Sequence, residues 1–108
     1  MTIMRGDSYL IPITLTQGGN VLTPEMVKDV EIFIGKDIAR KMSDGNVFFD
    51  AGQQKWFVRP TQAESLALET DDAHDVFARI KYTNDPADVK IVRCGSIRVD
   101  DTPYTEEI

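Results

Sequence analysis

The sequence predicts an all-β fold, a sandwich of about seven short strands with one or two short helical turns. Three observations predict it. Apolar residues recur with period two along most of the chain, as on a sheet with one buried face. Turn signals interrupt that period roughly every 8–12 residues, the spacing of a small sandwich. No segment carries a helical period long enough for the crossover of a parallel sheet, which excludes an α/β fold. A small barrel is the alternative closure.

Taken in order, Tyr9, Ile11, Ile13 and Leu15 alternate with Ser8, Pro12, Thr14 and Thr16. Pro12 cannot donate a ladder bond and marks this as an edge strand. Ahead of it stands Arg5-Gly6-Asp7-Ser8, which contains the tripeptide bound by adhesion receptors. Gly6 lets the chain turn, and Asp7 or Ser8 can bond a nearby amide, so the segment reads as a strand lead-in. Gln17 to Asn20 is a turn with two glycines, and Thr23-Pro24-Glu25 is the cap and first position of a helical turn. Val30, Ile32 and Ile34 form one face of the next strand, with Glu31 and Phe33 on the other, and Gly35 ends it.

A short strand, Ile38 to Met42, and a turn with an Asp-Gly pair, Asp44-Gly45, lead to Val47–Asp50 and then Lys55–Arg59. Pro60 stops that strand. Thr61 and Glu64 have the spacing of a capping box and open a short helix through Leu66 and Leu68. Val76, Ala78, Ile80 and Tyr82 alternate with Phe77, Arg79 and Lys81. Thr83 to Asp88 is a loop, and Val89 to Val99 a long strand. A bulge at Gly95 would move its inward set from Val92 and Cys94 to Ile97 and Val99. Residues 101–108 form a polar tail beyond a single domain with its ordered core at about 5–100.

Composition removes several functions. Apolar residues make up 42% of the chain and charged ones 28%, the mixture of a globular domain. A net charge of -6, with twelve scattered basic residues, argues against a nucleic-acid surface. No apolar run approaches the roughly 20 residues of a membrane helix, so no membrane partner is expected. The N-terminus carries Arg5 and Asp7 and no apolar signal core, so the chain is expected to be made in the cytoplasm. Cys94 is the single cysteine and cannot close an internal disulfide.

No residue set looks catalytic. His74, the one histidine, sits among Glu69, Asp71, Asp72 and Asp75. Carboxylates with a histidine suit a cation, but the run lacks the ligand spacing of a calcium loop and reads as an acidic solvated loop. Cys94 falls within a strand as a small core residue, with no base beside it in sequence. Neither a metal nor a cofactor is expected. Trp56 with Phe57, Phe48 and Phe49 could make a sugar-stacking platform, and an exposed Trp56 would favour that alternative, a carbohydrate-binding module. Phe33 and Phe77 lie on the less apolar parity of their strands and are the candidate interface residues.

Four stretches carry a resemblance: "RGDSYLIPITL" at 5–15, "VKDVEIFIG" at 27–35, "KWFVRPTQAESLAL" at 55–68 and "VFARIKY" at 76–82. Together they resemble the immunoglobulin-like domains at the N-termini of phage baseplate upper proteins and related phage and prophage tail proteins. The resemblance runs from about Arg5 to Asp100. It implies an immunoglobulin-like sandwich and a non-enzymatic virion component, located in the virion after synthesis in the bacterial host. Its expected partners are other virion structural proteins, with copies of itself as a further candidate. Alone it is expected to be a monomer or a weak oligomer, because Pro12, Gly95, Arg93 and Arg98 blunt its edge strands.

Overall fold

Two β-sheets pack face to face in the computed structural model, which describes residues 1–83, 88–103 and 106–107. The strands are β1 (Thr2–Met4), β2 (Ile11–Ile13), β3 (Thr16–Gln17), β4 (Asn20–Val21), β5 (Val27–Ile34), β6 (Ile38–Lys41), β7 (Val47–Asp50), β8 (Lys55–Val58), β9 (Asp72–Tyr82) and β10 (Val89–Asp100). One sheet has the order β1-β10-β9-β5-β6, the other β2-β8-β7, and β3 with β4 forms a separate hairpin. The fold is an all-β sandwich. Its partition of β2-β8-β7 against β10-β9-β5 corresponds to strands B-E-D against G-F-C of an immunoglobulin-type sandwich. The seven expected strands are β2 and β5 to β10; the added ones are β1, β3 and β4, each of two or three residues.

The core lies between the inner faces. Ile11, Val58 and Val47 form one row across the smaller sheet, and Ile13, Trp56 and Phe49 the next. They face Val30, Ile32 and Ile34 of β5 and Val76, Ala78 and Ile80 of β9. All of these except Phe49 are at most 5% exposed. Trp56 is fully buried, and its indole N–H donates to the Leu22 carbonyl at 2.9 Å, which resolves the polar end of a large apolar ring.

The bulge falls at the expected place. The pairing of β10 with β9 shifts between Arg93 and Gly95, and Gly95 takes φ +139°, a conformation that disfavours any residue with a Cβ. Val92 and Cys94 therefore pack against the core before the bulge, and Ile97 and Val99 are buried after it. Val89 and Ile91 are turned outward, at 48% and 67% exposure.

Helix α1 (Gln62–Ala67) has its predicted capping box: the Glu64 amide donates to Thr61 Oγ1 at 3.1 Å and the Thr61 amide to Glu64 Oε1 at 2.7 Å. An Arg40–Glu64 ion pair ties it to β6.

Three expectations change. The strand expected from Tyr9 begins only at Ile11, and Tyr9 is 65% exposed. The chain before it is held down instead, with Ser8 Oγ donating to the Pro60 carbonyl at 2.9 Å. The acidic stretch before Val76 is not a loop, because β9 starts at Asp72. A strand, β1, precedes the Arg5–Ser8 turn and runs parallel to β10, with Ile3 buried at 5%. The expected loop at Thr83 to Asp88 lies outside the described residues at 84–87, as do positions 104, 105 and 108 of the tail.

Candidate interaction face

The outer face of the five-stranded sheet is built by the residues left over when the inner face is filled. On β5, burial of Val30, Ile32 and Ile34 sends Asp29, Glu31 and Phe33 to the other side. On β9 the outward set is Asp75, Phe77, Arg79 and Lys81. Strand pairing aligns them into rows. Ala39, Phe33, Phe77 and Arg93 form one row, and Lys41, Glu31, Arg79 and Ile91 the next. Asp29, Lys81 and Val89 complete a third.

Phe33 and Phe77 thus stand opposite one another in the register of this face. The Arg79 guanidinium stands 5.6 Å from the centre of the Phe33 ring, a cation–π distance, and is held there by its ion pair with Glu31. Phe77 is 36% exposed. Arg93 pairs with Asp75 at 2.8 Å. Lys41 and Lys81 border a shallow cleft of about 290 Å³ with Asp29, Glu31, Arg79 and Val89. The arrangement can bind by contact: an aromatic and aliphatic centre within a ring of charged side chains of both signs.

The other candidate residues are placed elsewhere. Trp56 is in the core, so the aromatic platform is not assembled: Phe49 tilts against Trp56 inside, while Phe48 stacks on Phe57 at 5.7 Å outside. His74 is half-buried on β9, and its Nε2 lies 2.8 Å from the Glu69 carbonyl, to which the Nε2–H tautomer donates. The acids near it spread toward arginines, Asp75 to Arg93 and Asp71 to Arg98 at 3.4 Å. Among the described residues no group of three or more His, Cys, Asp or Glu side chains could hold a metal ion. Cys94 is half-buried at the bulge, and burial pushes its thiol above the ordinary range, which opposes the thiolate form.

The Arg5–Ser8 turn is fastened to α1. The Gly6 amide donates to Ser65 Oγ at 3.0 Å, Arg5 Nε to the Leu66 carbonyl at 3.1 Å, and the Met4 amide to Asp7 Oδ2 at 2.7 Å. It is a docked turn.

Sequence reasoning missed that Val89 and Ile91 join the Phe33–Phe77 face. The signal was the Gly95 bulge, which inverts the parity of everything before it. No protein-family model matches the chain, and neither a curated protein nor a solved structure is significantly similar to it.

Proposed function

We propose that this chain is a non-enzymatic structural component of a phage or prophage virion, in the tail or baseplate, that holds a neighbouring protein on the outer face of its five-stranded sheet. The observation that carries the reading is the Phe33–Phe77 pair, in register at the centre of that face and continued by Ile91 and Val89. Aromatic anchors ringed by arginine are the composition of protein contact patches. The resemblance of the strand sequences to baseplate domains supplies the virion. Function here is geometry: a rigid sandwich presents a fixed plane, and its net charge of -6 opposes aggregation before the neighbour arrives.

The test uses a bacterial host carrying the gene in its own genomic context. After induction, the wild-type chain is expected to co-purify with tail particles. The Phe77→Asp variant is expected to fold, by circular dichroism, yet to be missing from them. Purified particles that lack the wild-type chain would refute the proposal.

A further inference from the structure

We propose that β10 from Val89 to Cys94 accepts an extended segment of the partner as an added antiparallel strand, with the order acid–apolar–apolar–acid opposite Arg93, Val92, Ile91 and Lys90. This rests on the contact face proposed above and names what docks beside it. Among the described residues, half the length of this edge has no neighbouring strand. β1 pairs with β10 at Arg98 to Asp100, and the Met1 ammonium reaches the Ser96 carbonyl at 3.4 Å. Before the bulge, β10 is bordered among the described residues by β9 alone.

The direction of the backbone groups follows from one bond. The Gly35 amide donates to the Asp75 carbonyl at 2.9 Å, so Asp75 addresses β5. Alternation along an antiparallel sheet then directs Ala78 and Ile80 to β10, and their partners Val92 and Lys90 back to β9. Val89, Ile91 and Arg93 consequently turn their N–H and C=O groups to the vacant side. Above the bulge the same side is used by Arg98, whose amide donates to the Met1 carbonyl at 2.9 Å.

Charge selects the occupant. The strip holds Lys90 and Arg93 and no acid, and Lys90 has no ion pair among the described residues. A second copy pairing about Ile91 would gather two Lys90 and two Arg93; Asp75 at 2.8 Å answers each Arg93, but nothing in the joint answers the two Lys90, which opposes self-pairing. A strand with acids opposite Lys90 and Arg93 reverses that term. Apolar residues opposite Ile91 and Val92 would cover a side chain that is 67% exposed and one that is half-buried. On the outer face such a segment extends the Phe33–Phe77–Arg93 and Glu31–Arg79–Ile91 rows by one residue each. Main-chain bonding to an edge supplies affinity, and the side-chain order supplies the choice.

Amide hydrogen exchange on the full chain tests this with two capped peptides, Thr-Glu-Val-Val-Glu-Val-Thr and its counterpart with both glutamates replaced by lysine. The glutamate peptide is expected to slow exchange at Val89, Ile91 and Arg93, and the lysine peptide to bind about tenfold more weakly or less. Ile91→Pro removes one outward N–H, leaves the β9 ladder whole, and should abolish the protection. Should that variant fail to fold, the double change Lys90→Glu with Arg93→Glu should invert the preference between peptides. No protection from either peptide, equal binding of both, or protection that grows with protein concentration alone would overturn the proposal. Particle incorporation lost in Phe77→Asp but kept in a folded Ile91→Pro would overturn the added strand and leave the contact face standing.

Discussion

Phe33 of β5 and Phe77 of β9 are direct cross-strand partners on the solvent side of the larger sheet. A cross-strand position of this kind, on the exposed face, contributes at most roughly 0.2–1 kcal/mol to the sheet, far less than a core ring. Phe77→Asp removes the pair but sets a carboxylate opposite Arg93 on β10. The variant is expected to unfold cooperatively with a loss below about 2 kcal/mol. Chemical denaturation measures it, and loss of the cooperative transition would place Phe77 in the core.

Two isoleucines on the same sheet should differ sharply. Ile32 is completely buried and Ile91 is 67% exposed. Ile32→Ala loses transfer energy and leaves a cavity, about 2–5 kcal/mol in all. Ile91→Ala, at a surface position, should change stability by less than about 0.5 kcal/mol. Melting curves of the two variants that coincide would contradict the assigned faces.

That contrast shows where the sequence was legible. Period two marked β5 and β9, so Val30, Ile32 and Ile34, or Val76, Ala78 and Ile80, could be assigned without coordinates. Gly95 even announced its bulge. What period cannot show is which strands become neighbours. Phe33 and Phe77 were each readable as outward residues, but their opposition depends on β5 pairing with β9 rather than with β8. β1 was hidden because three residues carry no period, and its burial of Ile3 depends on a parallel pairing with the far end of the chain. His74 was misplaced for another reason: four acids read as a solvated loop, whereas pairing with Ser96 to Val99 of β10 carries β9 back to Asp72, with Asp75 beside Arg93 and Asp71 beside Arg98.

The Glu64 cap should make stability depend on acid pH. Burial raises its carboxyl, but bonds from the Thr61 amide, Arg40 and the Thr61 hydroxyl outweigh that and hold it below the ordinary value of 4.5. A carboxyl depressed by folding adds stability that is fully present above its unfolded value and is lost as pH falls through the folded one. Wild-type melting temperature should therefore drop below about pH 4.5 more steeply than that of Glu64→Gln. At neutral pH that variant should be less stable by about 1 kcal/mol, the usual scale of a lost cap. Parallel pH profiles for the two proteins would remove Glu64 from this role.

The Arg5-Gly6-Asp7 turn should behave as structure and not as an adhesion ligand. Gly6 has φ +93°, and a Cβ there would stand 3.3 Å from Leu66 Cδ2. Its amide also satisfies Ser65 Oγ, a hydroxyl with no exposure to solvent. Gly6→Ala is therefore strained in its backbone and crowded against α1, and should lose about 1–3 kcal/mol. An exposed adhesion loop would tolerate that change with little loss of stability. The charged ends of the tripeptide are also engaged, Arg5 with the Leu66 carbonyl and with Asp101 at 3.6 Å, Asp7 with the Met4 amide. A surface coated with the folded chain is expected to support no cell attachment that a free Arg-Gly-Asp peptide can compete away. Attachment that the peptide abolishes, on a chain whose melting temperature is unchanged by Gly6→Ala, would show that the turn is free and the docking to α1 wrong.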